Sequence, residues 1–161
     1  MAVDIFLSIP KVGGESTDAK FAGQIDVISW NWGMAQAGSA GTGTGSGTGK
    51  VNVGDLSLTK YLDKSSPVLM AACCGGTAYS PVVLTMRKAG NNPLVYLVIT
   101  LGNVTISGVN PSTSIADDRQ TETVSLHFGT FQVQYTPQNS DGSGGAAVTM
   151  TWNIPGNSSS I

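Results

Sequence analysis

Residues 25–34 read IDVISWNWGM, residues 38–49 read GSAGTGTGSGTG and residues 50–70 read KVNVGDLSLTKYLDKSSPVLM. Trp30 and Trp32 are two residues apart, so a strand over Ile25–Gly33 puts both on one face. The twelve residues Gly38–Gly49 are only Gly, Ser, Thr and Ala, and such a run has no side chains with which to build a packed core. A second strand is predicted over Val51–Lys60, followed by a short helix. Ser66 is placed to N-cap that helix, Pro67 falls in its first turn where a missing N–H costs nothing, and Gly75 or Gly76 ends it. Its body, Val68–Cys74, carries no charge, and a helix apolar all round is covered on more than one side. We therefore expect Val68, Leu69, Met70, Ala72 and Cys73 to serve a subunit interface. A rigid body extending a bare arm points to assembly with copies of itself before it points to chemistry.

Strand signals dominate the rest of the chain. Val3, Ile5, Leu7 and Ile9 alternate with Asp4 and Ser8. Val82–Lys88 and Leu94–Ser107 are joined by AGNNP at residues 89–93, a hairpin-type connection. Thr123–Tyr135 and Ala147–Ile154 form a second hairpin across Pro137–Gly145. In the two longest segments the apolar parity slips. Leu97, Ile99 and Leu101 are odd, whereas Val104 and Ile106 are even. Val124, Leu126 and Phe128 are even, whereas Phe131, Val133 and Tyr135 are odd. Both slips fall at a glycine, Gly102 and Gly129, where one extra residue forms a bulge that bends a strand and switches its faces. Long bent strands suit a small closed β-barrel, so the expectation is a mainly β chain with one flanking short helix. Residues 1–155 read as one domain carrying the extended loop 38–49, and residues 156–161 as a flexible tail.

At 161 residues the chain has the length of one domain. Forty per cent of residues are apolar and only 11% are charged, well below the usual quarter. So sparse a charge pattern fits a surface that ends up against other protein. The net charge of −2 and the absence of a basic run leave no footprint for nucleic acid or for a membrane surface. No run approaches the ~18 apolar residues of a membrane span. The opening MAVDIFLSIP lacks a positive segment and holds Asp4 inside its apolar stretch, so a cleavable signal peptide is not expected. Cytoplasmic synthesis followed by leaderless export is. Cys73 and Cys74 are neighbours, a strained pairing for a disulfide, and are expected to be reduced.

Chemical motifs fail on spacing. A phosphate loop ending in Gly49-Lys50 would need glycine at Thr44 and Ser or Thr at Val51. GxGxxG fails at Ser46 and Thr48, and a strand follows in place of an anion-binding helix N-terminus. His127 has no nucleophile or orienting carboxylate near it in sequence. Cys73-Cys74 with one histidine supplies no second ligand cluster for a metal. No catalytic, metal or cofactor residue is assigned. Two rival readings remain: a β-sandwich carbohydrate-binding module using Trp30 and Trp32, and an enzyme around His127 and Asp118.

The polar positions are more telling. Ser29 and Asn31, Ser57 and Thr59, Thr123 and Ser125, and Thr149, Thr151 and Asn153 all lie between apolar residues. These are short, neutral, hydrogen-bonding side chains where an ordinary solvent face would carry Lys and Glu. A smooth neutral wall lining a wide channel fits them.

Together these residues resemble the haemolysin-coregulated protein (Hcp) family, the inner-tube subunit of the bacterial type VI secretion system. The resemblance runs through MAVDIFLSI, GEST at Gly14–Thr17, IDVISWNWGM at Ile25–Met34, KVNV at Lys50–Val53 and DLSLTKYLDKSSPVLM at Asp55–Met70. It continues through RKAG at Arg87–Gly90, YLVITL at Tyr96–Leu101, Asp118-Arg119, ETVSL at Glu122–Leu126 and SDGS at Ser140–Ser143. The sequence departs from the family in its Thr/Gly-repetitive loop, in Asn31 where Ser is frequent, and in Gln120 where an apolar residue is common. The resemblance implies a phage tail-tube-like barrel assembled as a homohexameric ring. Such rings stack into a tube inside a sheath, meet a spike protein, and carry small effector proteins in the lumen. On that basis Ser29 and Asn31 are expected to contact effectors. The segment Gly41, Thr42, Gly43, Thr44, Gly45, Ser46 and Gly47 is expected to mediate ring stacking. No cofactor is implied.

Overall fold

The computed structural model describes residues 2–38 and 49–160. Strands β1 (Val3–Ser8), β2 (Ile25–Asp26), β3 (Ser29–Asn31), β4 (Met34–Ala35), β5 (Asn52–Val53) and β6 (Leu56–Tyr61) precede the helix α1 (Ser66–Gly75). After it come β7 (Ala78–Tyr79), β8 (Val82–Lys88), β9 (Val95–Gly102), β10 (Val104–Ser112), β11 (Thr121–His127), β12 (Thr130–Tyr135) and β13 (Val148–Asn153). They form a six-stranded sheet in the order β13-β12-β9-β8-β1-β2, a five-stranded sheet in the order β3-β6-β11-β10-β7, and a small β4-β5 ribbon. Every pairing is antiparallel.

The expected closed barrel is therefore corrected to two packed sheets. On one side the chain does bridge them: Val27 donates to Ile5 of one sheet at 3.0 Å, and Ile28 donates to Thr59 of the other at 2.8 Å. The single strand expected over Ile25–Gly33 is thus two short strands in different sheets. On the opposite side β13 and β7 are both outer strands, and no ladder joins them among the described residues.

The parity slips mark real features of a different kind. Neither is a bulge. At Asn103, which adopts a left-handed φ of 51°, the chain leaves β9 in one sheet for β10 in the other. At Phe128-Gly129 it leaves β11 for β12 and returns. Each crossing resets which parity faces the core, because the core lies on opposite sides of the two sheets. The register shifts themselves fall between Ile106 and Gly108, and between Met86 and Arg87. The expected Val51–Lys60 strand likewise breaks into β5 and β6 around Gly54-Asp55.

The core is sealed by Leu7, Ile25, Leu84, Ile99, Leu101 and Phe131 from one sheet against Leu56, Leu58, Val104, Ile106, Val124 and Leu126 from the other. Burying each such side chain is worth about 1.5–3 kcal/mol. Trp32 closes one end, standing edge-on to Phe128 and Phe131 at 5.6 and 4.9 Å between centroids, while its indole N–H donates to Gly54 at 2.9 Å. Both Trp30 and Trp32 pack against the core, which removes the stacking platform that the carbohydrate-binding reading required.

Arg87 fastens the long loop after β1. Its guanidinium meets Asp4 at 2.7 Å and Asp18 at 2.6 Å and lies over the stacked pair Phe6 and Phe21. The hydrogen bond from Arg87, with support from the Lys20 amide, holds the Asp18 carboxyl below the usual carboxylate range. At the far terminus, residues 156–160, expected to fray, turn back on β13: Asn153 donates to Ser158 at 2.8 Å and Thr151 Oγ1 donates to Ser159 at 2.7 Å.

Candidate functional site

The five-stranded sheet has one face committed to the core and one face free. Leu56, Leu58, Val124 and Leu126 turn inward, so Ser57, Thr59, Thr123 and Ser125 turn outward. Cross-strand register lines these residues up. Ser29 pairs with Thr59, Thr59 with Thr123, and Thr123 with Asn110. The adjacent row joins Asn31, Ser57, Ser125 and Gly108. The Ser57 and Ser125 hydroxyls are 3.3 Å apart, and Ser29 and Asn31 are exposed at the outer strand. Four strands thus present contiguous rows of small neutral groups, which bind water and amides without holding a charged partner.

Charged groups stand at the two ends of this face. At one end the His127 Nδ1 lies 2.8 Å from Asp55, whose other oxygen accepts the Ser107 hydroxyl at 2.7 Å. The order is wrong for a hydrolytic triad, in which the imidazole lies between the hydroxyl and the carboxylate. Here the carboxylate takes both bonds. Asp118, the acid of the enzyme reading, lies at the opposite end of the same strands, in a depression with Tyr61 and Arg119. There the Arg119 guanidinium stacks 3.8 Å from the Tyr61 ring centroid, a cation–π contact. Sequence reasoning missed Asp55, although it shares the parity of Ser57 and Thr59 and so belongs to the same face.

Behind the face lies a buried ionic cluster. Lys60 Nζ is 2.7 Å from Glu122 and 2.8 Å from Asp63, with Lys60 and Glu122 fully enclosed. The Ser66 hydroxyl donates to Glu122 at 2.7 Å and accepts the Asp63 amide at 3.1 Å. Burial acts to raise the Asp63 carboxyl, but hydrogen bonds from Lys60 and Ser65 outweigh it and hold the carboxyl below its ordinary range. This network ties the start of α1 to β6 and β11. It also displaces the expected cap. Ser65 occupies the N-cap position with no side-chain cap bond, and Ser66 is the first helical residue because its hydroxyl is drawn inward. Gly76, with a φ of 64°, ends the helix as a left-handed cap.

Of the five helix residues assigned to a subunit interface, Leu69 and Ala72 are buried in the chain's own core. Val68 is exposed, while Met70 and Cys73 are half-buried. Cys73 and Cys74 are free thiols, Cys73 half-buried and Cys74 exposed. The stacking segment Gly41–Gly47 lies outside the described residues. No helix among the described residues is long and apolar enough to cross a membrane.

Comparison with known proteins gives this geometry its context. The family described as "Type VI secretion system effector, Hcp" matches residues 6–135. Protein hcp1 of Pseudomonas aeruginosa is 57% identical over 156 residues, covering 96% of this chain and 96% of that one. A solved structure of a type six secretion system protein superposes with a TM-score of 0.91 at 27% identity, covering 98% of this chain and 99% of the other. Hcp1 from Salmonella typhimurium gives a TM-score of 0.80 at 36% identity over 98% of each chain. With the family match spanning most of its length, the chain belongs to the Hcp family and is a tube protein of the type VI secretion system.

Proposed function

We propose that this tube protein assembles as a homohexameric ring, with the free face of the five-stranded sheet turned into the pore. The observation that carries the proposal is the register-locked neutral face running from Ser29 and Asn31 across to Asn110. A pore that passes varied cargo needs hydrogen-bonding groups without strong charge, since a desolvated ion pair holds its partner too tightly for transit. Ser29 and Asn31 are the cargo-contacting residues at the exposed edge of that wall.

Rings stack into a tube within a sheath and below a spike, and deliver small effector proteins as non-enzymatic carriers. Residues 1–155 form one Hcp domain, with 156–161 as its terminal segment. The glycine-rich segment Gly41–Gly47 serves as a stacking arm, and Val68, Met70 and Cys73 supply the helix's contribution to the ring interface. The protein is made in the cytoplasm and released without a cleavable leader.

Light scattering coupled to size-exclusion chromatography, followed by negative-stain microscopy, tests the ring directly. Annular particles of six-subunit mass are the expected result. A monodisperse monomer at high protein concentration would overturn the proposal.

A further inference from the structure

We propose that rings stack head to tail by seating Ile115 of one ring in a pocket at the opposite end of the same strands on the next, an inference that rests on the ring reading above. The turn joining β10 to β11 projects Ile115 fully into water, at 109% relative exposure. An isoleucine held this way forgoes the burial that most of its kind obtain. The same turn carries Arg119, which has no ion-pair partner among the described residues and is held in place by Tyr61.

The other end of these strands offers the complement. A cavity of about 240 Å³ opens there, with apolar lining from Val53, Phe128, Ile154 and Pro155 and polar lining from Asp55 and His127. The Asp55 side chain is 40% exposed, and its only ionisable partner among the described residues is the His127 imidazole. Apolar knob and apolar pocket, free cation and underpaired carboxylate, thus occupy opposite ends of one hairpin.

Geometry sets the direction of the contact. Once the neutral face lines a pore, the sheet edges β3 and β7 turn towards neighbours around the ring. The strand ends then turn along the pore axis. Ile115 is on one ring face and the Asp55 pocket on the other. A contact between unlike patches does not close on itself when the copies are related by translation, and it propagates as an open stack. Each junction repeats it once per subunit, so a weak single contact becomes a strong collective one.

The test uses full-length protein with Ile115→Asp and, separately, with Ile115→Cys plus Pro155→Cys, with Cys73 and Cys74 kept native in the double variant and in both single-cysteine controls. Ring integrity is read by size-exclusion mass, and stacking by microscopy and non-reducing gels across a concentration series. Ile115→Asp is expected to leave rings intact and to raise the concentration at which tubes appear by about tenfold or more. The double-cysteine protein is expected to give a covalent ladder on oxidation, and either single-cysteine protein is not. Rings that stack normally with Ile115→Asp, that stack without the 115–155 cross-link, or that never stack would overturn the inference while leaving the ring reading intact. Loss of the ring in the unsubstituted protein would instead overturn the ring reading.

Discussion

The amide of Gly129 donates to the carbonyl of Gly102 at 3.0 Å, so the two points at which the chain changes sheets lie against each other. A side chain at Gly102 would collide with Thr130 Oγ1. The glycine is there for close approach, since its neighbour Asn103 supplies the left-handed turn.

Gly102→Ala should therefore destabilise the fold by about 1–3 kcal/mol through overpacking. Adding Thr130→Ala should return much of that loss. Urea unfolding of the two single variants and the double variant measures the coupling, and simple additivity would mean that the clash is not the cause.

Lys60→Met should be severely destabilising, by about 3–5 kcal/mol, because it strands the enclosed Glu122 carboxylate. The pair of changes Lys60→Met and Glu122→Leu should restore most of the stability, since a well-packed apolar pair replaces a buried ion pair at little cost. Thermal melts of the three proteins compare these outcomes. A double variant no better than Lys60→Met would show that the cluster also shapes the start of α1 through Ser66.

The Arg87 clamp makes the fold sensitive to acid. Arg87 lowers the folded-state pKa of Asp18, so the unfolded chain binds the proton more readily. The stabilisation is then fully present above the ordinary Asp range near pH ~4 and is lost as pH falls through the folded value. Asp63, also lowered, adds to the same slope. Unfolding followed from pH 7 down to pH 2 should show stability declining below pH ~4, and Arg87→Met should flatten that decline. An equally steep acid slope in Arg87→Met would assign the effect elsewhere.

Asn31→Arg should leave stability within about 0.5 kcal/mol, as for exposed positions generally, and leave rings intact. It places a cation on a neutral wall and should change which effectors are retained in pull-downs. Retention identical to the unsubstituted protein would remove Asn31 from the cargo path.

Much of this was legible in the chain, and the limits have physical causes. Alternation alone separated Ser57, Thr59, Thr123 and Ser125 from Leu56, Leu58, Val124 and Leu126, because a strand's period is fixed. The slips at Gly102 and Gly129 were legible as positions, but a bulge and a sheet crossing produce the same parity change. Only the pairing partners separate them, and those are non-local. The break between β2 and β3 left no mark, since Val27 and Ile28 pair with different sheets without any glycine or proline. The Asp55–His127 pair joins residues far apart in sequence, and the Lys60–Glu122 pair reads locally as two ordinary surface charges. Ser66 was misassigned as the cap because its inward partner, Glu122, lies on a distant strand.

The central claim is that the neutral face of the five-stranded sheet is the wall of a pore, and an electron cryomicroscopy structure of the assembled particle tests it most directly. The account predicts a closed ring with Ser29, Asn31, Ser57, Thr59, Thr123 and Ser125 facing the central opening. A ring with those residues on its outer circumference, or buried between neighbouring subunits, would contradict it.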